Sequence, residues 1–320
     1  MKKLVSIAVV MMMVLALGVS SFASTNVPDD DGNIFYDVPG CLAAPVLDGV
    51  INDGEYSLIE TKPSQWSRAV SDDANDGLAD EIAKTAKVYM CWDADYIYYA
   101  STFVAPNGFA NIWADDPPSM WYSGAIQMEY CDTKSRDDDT TNRLEYGIGV
   151  TADGTKVTTV WANPEDFSDA YTAEMIPDNF AMKVDGNNVT FEVRTPWGAF
   201  QEAKGAVGVQ CGITVVYSIG LEQDYVHAQL AAGCTGEGGK NVIHTALLTM
   251  KEAPPPPVVE EEPAPVEEAP AAAEAPPAAE TVAAAPAAPA AAAQTGDVAA
   301  ILVLAAVAAI GTAAVVSKKR

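Results

Sequence analysis

Between residues 24 and 251, apolar and polar side chains alternate with a period of two in short runs separated by turn residues. That pattern, enriched in Val, Ile, Tyr, Phe and Trp, marks half-buried strands rather than helices. Lys87-Val88-Tyr89-Met90-Cys91-Trp92 and Tyr96-Ile97-Tyr98-Tyr99-Ala100-Ser101-Thr102-Phe103-Val104 flank Asp93-Ala94-Asp95, which predicts a hairpin. Residues 146–150 and 156–161 flank Ala152-Asp153-Gly154, where the glycine supplies the positive φ of a tight turn. A third hairpin is expected from 181–184 and 189–194 around Asp185-Gly186-Asn187-Asn188, with later strands at 207–217 and 242–250. No stretch of this body shows sustained helical periodicity with caps, and no internal repeat is visible. The expected fold is all-β: a single antiparallel β-sandwich of jelly-roll or Ig-like kind over residues 24–251.

Both flanks break the pattern. Lys2 and Lys3 precede an apolar run over 4–19, and Ser21-Phe22-Ala23 comes next. A charged head, an apolar stretch and a small-x-small site together predict a cleaved signal peptide over 1–23, the alternative being an uncleaved anchor. Residues 252–293 are Pro, Ala, Glu and Val, opening with Pro254-Pro255-Pro256-Pro257 and passing through Glu260-Glu261-Glu262. Proline lacks a donor and fixes φ, so this linker is expected to be a disordered, extended stalk with no core. At roughly 3.1 Å per residue it could reach on the order of 100 Å. Residues 298–317 are uncharged and apolar, long enough to cross a hydrocarbon core about 30 Å thick as a transmembrane helix. Lys318, Lys319 and Arg320 come after it, a basic end expected on the cytoplasmic side.

Charge excludes one class of partner. The chain carries 44 acids against 18 bases, a net charge of −26, and five of those bases lie at its extreme ends. A body this acidic repels a phosphate backbone, so nucleic acid is excluded as a main partner. The chemistry of catalysis is sparsely represented. His227 and His244 are the only histidines, and there is no nucleophile elbow, zinc motif or phosphate loop. Paired carboxylates for glycoside hydrolysis remain an alternative in so acidic a chain. Cys41, Cys91, Cys131, Cys211 and Cys234 are an odd set with no Cys-x-x-Cys spacing, and their pairing stays open. Asp29-Asp30-Asp31, Asp72-Asp73 with Asp76, and Asp137-Asp138-Asp139 gather oxygen donors suited to a structural calcium ion, or are solvated acidic loops.

Two resemblances add to this. Thr295-Gly296, an apolar span and a basic tail resemble the cell-wall sorting signal of Gram-positive surface proteins. The resemblance implies cleavage between Thr295 and Gly296 and linkage of Thr295 to peptidoglycan, although Ala292-Ala293 stands where that family has Leu-Pro. Either tether, peptidoglycan or membrane, leaves residues 24–251 on the extracellular face of a cell. The body itself is similar, in four ordered stretches, to the family 9 carbohydrate-binding modules, which are DOMON-like β-sandwiches. The stretches run over 44–56, with Asp48-Gly49-Val50-Ile51-Asn52-Asp53-Gly54-Glu55-Tyr56; over 86–98, with Trp92-Asp93-Ala94-Asp95-Tyr96-Ile97-Tyr98; over 121–130, Trp121-Tyr122-Ser123-Gly124-Ala125-Ile126-Gln127-Met128-Glu129-Tyr130; and over 189–197, with Glu192-Val193-Arg194-Thr195-Pro196-Trp197.

That resemblance implies a non-catalytic module that binds a poly- or oligosaccharide on tryptophan faces, with polar side chains reading the hydroxyls. Trp121 matches one such tryptophan. Gln127 and Gly124 stand where the family has Glu and Asp, and residues 231–240 contain no aromatic where the second tryptophan belongs. Trp113 and Tyr122 flank the same loop and are candidates for the missing partner. Gln127 and Glu129 share the polar face of one strand, and Arg143 is a rare base nearby. The candidate ligand-binding residues are therefore Trp121, Gln127, Glu129, Arg143, Trp113 and Tyr122. Trp92, Trp161 and Trp197 occupy strand positions and are expected in the core. Two other readings stay open: a structural or adhesive surface protein using the sandwich for protein contacts, and an accessory module of a glycosidase system. A related sandwich family binds haem through Met and His, which would pair Met90 or Met128 with His227.

Overall fold

The structure is a computed structural model, and it describes residues 34–72, 75–137, 142–165, 171–221, 224–235 and 240–256. The expected signal peptide, most of the linker, the apolar span, Thr295 and Gly296 lie outside the described residues, as do Asp29–31, Asp73, Asp138 and Asp139. Among the described residues, no helix is long and apolar enough to cross a membrane.

Two sheets face each other. The larger contains β1 (Phe35–Pro39), β13 (Ala246–Lys251), β11 (Gln210–Leu221), β6 (Ala125–Cys131), β7 (Leu144–Val150) and β8 (Lys156–Ala162), in that order. β12 (Asp224–Leu230) also pairs with β11 and carries β3 (Trp66–Val70) on its far side. The smaller runs β2 (Ser57–Ile59), β4 (Lys87–Trp92), β5 (Tyr96–Val104), β10 (Asn188–Pro196) and β9 (Phe180–Asp185). The three expected hairpins are β4–β5, β7–β8 and β9–β10, with Gly154 and Gly186 at positive φ in the last two turns.

Two features depart from the sequence expectation. The sandwich is not wholly antiparallel, because the first and last strands, β1 and β13, pair in parallel. A ten-residue helix, α1 (Asp76–Thr85), interrupts the strands. Only Ala79 and Ile82 are buried along it and its Asn75 side chain makes no cap, so its apolar stripe is too short to stand out against the strand pattern. A second helix, α2 (Thr133–Asp137), is a little over one turn.

Alternate residues of each strand fill the space between the sheets. Ile126, Met128, Tyr130, Tyr146, Ile148, Val215, Tyr217 and Val226 of the larger sheet meet Tyr99, Phe103, Phe191 and Val193 of the smaller. Three of the buried phenols are satisfied across the gap: Tyr99 and Tyr217 share a hydrogen bond of 2.7 Å, and Tyr146 bonds Thr195 Oγ1 at 2.7 Å, whereas the Tyr36 and Tyr130 hydroxyls have no partner among the described residues. Each such side chain contributes about 1.5–3 kcal/mol by leaving water. Trp92 and Trp197 belong to this core, as expected. Met90 and Met128 also lie in it, whereas His227 points from the opposite face of the larger sheet, which rules out the haem pairing.

Three of the four motif stretches are structural. Gly49, at φ +81°, donates its N–H to Glu192 at 2.6 Å, and Tyr56 Oη donates to the other Glu192 oxygen at 2.9 Å. The Asp48–Tyr56 stretch is thereby pinned to β10. Cys41 and Cys91 form a disulfide, closing a loop of 50 residues that restrains the unfolded chain by about 4 kcal/mol on the loop-entropy account. Trp92 Nε1 donates to Val38 O and Lys251 O, at 2.9 and 3.1 Å, joining the first and last strands. Replacing Glu192 by Ala should strand the Gly49 and Tyr56 donors and lower stability by about 2–4 kcal/mol in chemical denaturation. A change within about 0.5 kcal/mol would show that the pin carries no weight.

Candidate binding cleft on the larger sheet

The outward face of the larger sheet carries the residues that alternate with its core set: Gln127 and Glu129 on β6, Glu145, Gly147 and Gly149 on β7, Thr214, Ser218 and Gly220 on β11, and His227 and Gln229 on β12. An outer sheet face is ordinarily wet, yet here Glu129, Glu145, Thr214 and Ser218 have no exposed surface. Loops cover them, and glycines let the covering segment lie close. A Cβ at Gly220 would collide with the Tyr122 carbonyl oxygen, and one at Gly147 would strike Trp161 and Met120 at 2.5 and 2.6 Å.

The cover is the 3-10 turn Pro117–Tyr122, which carries Trp121. Asn111 Nδ2 donates to the carbonyls of Met120 and Gly124 at 3.1 and 3.0 Å, and Trp161 Nε1 donates to Pro118 O at 2.9 Å. His227 Nε2 lies 3.1 Å from Trp121 O. A neutral imidazole donates there, and burial favours that form by lowering the His227 pKa to about 4. The backbone of the turn that carries Trp121 is thus tied to both loop and sheet.

Beside this turn the sheet opens into a cavity of about 1060 Å³. Trp121, Trp161 and Tyr225 supply aromatic walls, Gln127, Glu145, Arg143, His227 and Cys234 lie at its base, and Arg68 and Lys240 stand at its sides. Trp121, Gln127 and Arg143 of the expected set come together here. Glu129 lies beneath, fully buried and paired with Arg143 rather than lining the cavity. Tyr122 stacks on Trp121 with ring centroids 3.6 Å apart, so it covers one indole face instead of standing across a groove. Trp113 packs behind the turn with Met120, Ala125 and Val157. The cavity adds residues outside the expected set: Trp161, which the strand pattern assigns to the core, with Tyr225, His227, Glu145, Cys234, Arg68 and Lys240. The alternation Glu145-x-Gly147-x-Gly149, polar and small on one face of a strand, is the sequence signal for part of this set.

The floor is a charge network. Glu129 and Glu145 are directly opposed across β6 and β7. Arg143 bridges them, with Nε 3.1 Å from Glu129 Oε2 and Nη2 2.6 Å from Glu145 Oε2, and Lys240 pairs with Glu145 Oε1. Burial, reinforced by the Glu145 charge, pushes the Glu129 carboxyl up to about 8 against the pull of Arg143 and Lys240. Glu129, Glu145 and Cys234 also place three donor atoms within 4.8 Å of one another. Arg143 and Lys240 already balance those carboxylates, and burial holds the Cys234 thiol well above its ordinary pKa. The trio is therefore an ion-pair network rather than a ready cation site. Of the acidic stretches suited to calcium, Asp76 is taken by Arg68 at 3.0 Å.

A carboxyl whose folded pKa lies above its ordinary 4.5 favours folding fully below that value and loses the contribution as pH rises through the folded pKa. Glu129→Gln should therefore gain stability relative to the unaltered chain between about pH 4.5 and pH 8, measured as a difference in Tm at each pH. A difference that does not vary with pH would mean that Glu129 is ionised in the fold.

No protein-family model matches the chain, and no curated protein matches it. Among solved structures it is similar to a carbohydrate binding module family 9 from Caldicellulosiruptor kristjanssonii in complex with cellotriose, at 15% identity over 71% of this chain and 100% of that one, with a TM-score of 0.42. It is likewise similar to a family 9 module of the same organism in complex with glucose, at 15% identity over 68% of this chain and 97% of that one, with a TM-score of 0.43.

Proposed function

We propose that this chain binds carbohydrate, without transforming it, in the cleft on the outer face of the larger sheet. The observation that carries the reading is the union of an aromatic wall and a dense polar base in one concavity. Sugar rings offer apolar C–H faces that stack on aromatic rings, and hydroxyl edges that need donors and acceptors once dehydrated. Trp121, Trp161 and Tyr225 meet the first need, and Gln127, Glu145, Arg143 and His227 the second. Tyr122 occupies one face of Trp121, so the ligand stacks on a single indole face and affinity is modest.

Export and tethering complete the reading. The charged and apolar head over 1–23, the proline-rich linker and the apolar, basic-ended tail support a body held outside a Gram-positive cell on a stalk. The Cys41–Cys91 disulfide supports the same compartment, since such bonds persist in oxidising surroundings.

Isothermal titration of the full-length chain against a glycan panel should show saturable binding. Trp121→Ala should weaken it by about ten-fold or more, the worth of a lost stacking face with its buried area. No saturation by any glycan at millimolar concentration would overturn the reading.

A further inference from the structure

The base of the cleft is built for more than a neutral sugar. In a chain of net charge −26, three of its 18 Lys and Arg residues, Arg68, Arg143 and Lys240, line this one cavity. Arg68 is answered by Asp76 and Asp80, at 3.0 and 3.1 Å. Arg143 and Lys240 instead divide the two oxygens of Glu145 between them, and Arg143 also reaches Glu129 beneath at 3.1 Å. The remaining carboxyl of the network, Glu129, is sealed beneath Arg143, where burial and the Glu145 charge push its pKa up. Arg143 and Lys240 thus place two cations around Glu145, the carboxylate of the network that lines the cavity, while Glu129 lies beneath and does not line it. Lys240 is the member that can turn toward a ligand: its side chain is 45% exposed, while Arg143 is 10% exposed and keeps Glu145 if Lys240 turns away.

We infer that the cleft selects a saccharide bearing a carboxylate, such as a uronic acid, which takes Lys240 as its counter-ion while the aromatic wall holds the sugar ring. This rests on the carbohydrate reading above and names the class of sugar. The acidic surface does not prevent it: at physiological salt, charges beyond about 8 Å are screened, whereas cations lining a partly dehydrated cavity act at contact. A carboxylate on charged donors also supplies affinity that a second stacking ring would otherwise have to provide.

Among the described residues, the titratable and charged groups facing Glu129 are Glu145 and Arg143 from the β7 side, Cys234 and Lys240 from the segment after β12, and Cys131 on its own strand. An anionic ligand favours the protonated Glu129, so its affinity falls as pH rises through about 8, and that of a neutral sugar does not.

The test is titration of the full-length chain with oligogalacturonate and with the same oligomer after reduction of its carboxyl groups to alcohols. The acidic form should bind about ten-fold or more tightly, weaken with added salt, and lose affinity from about pH 7 to about pH 9. Lys240→Met should bring the ratio of the two affinities toward one, and Glu129→Gln should remove the pH dependence. Equal or tighter binding of the reduced oligomer overturns this inference while leaving carbohydrate binding intact. Failure of both oligomers and of every neutral glycan overturns the underlying reading instead.

Discussion

Buried polar groups need partners, and on the outer face of the larger sheet many of them are one another's. Gln127, Glu129, Glu145, Ser218 and His227 stand where a two-layer sandwich would ordinarily present a wet surface, yet all are buried. Gln127 Nε2 donates to Ser218 Oγ at 3.0 Å, Arg143 spans the two glutamates, and His227 holds the Trp121 carbonyl. A cover is obligatory over such a face. The segment that supplies it, Pro117–Tyr122, is also the one that carries the indole. Site and scaffold are therefore one arrangement, and the cavity is the part of the polar face that the cover leaves open.

The cost of that arrangement is concentrated in Glu129. A fully buried carboxyl facing a second carboxylate relies on Arg143 and Lys240 beside it, and burial pushes its pKa up against their pull. The smaller sheet solves a similar problem with neutral chemistry: Glu192 is buried as well, but backbone amides and a phenol answer it. The first arrangement leaves charge adjoining a cavity, and the second only ties a loop down. That difference separates the candidate site from the scaffold.

Much of the fold is legible in the sequence because the hairpins are local. β4–β5, β7–β8 and β9–β10 each join runs of alternating residues through turns whose Asp and Gly residues announce themselves. Short β2 and β3, the parallel pairing of β1 with β13, and α1 with its two buried residues are decided by tertiary packing, and no local pattern encodes them. The site divides in the same way. Trp121 stands out because prolines mark its loop. His227 reaches the cleft because it lies opposite Ser218, and Trp161 because Gly147 leaves room beneath it. Register and the absence of a side chain bring them there, and neither is visible along one strand.

The place of the ligand, on the outer face of the larger sheet against the covered polar floor, is open to direct observation. A crystal structure of the chain grown with a bound oligosaccharide should show a sugar ring within about 4 Å of Trp121, Trp161 or Tyr225, with polar contacts to Gln127, Arg143 or Lys240. A sugar seated instead on the outer face of the smaller sheet, with this cavity holding only solvent, would contradict that placement.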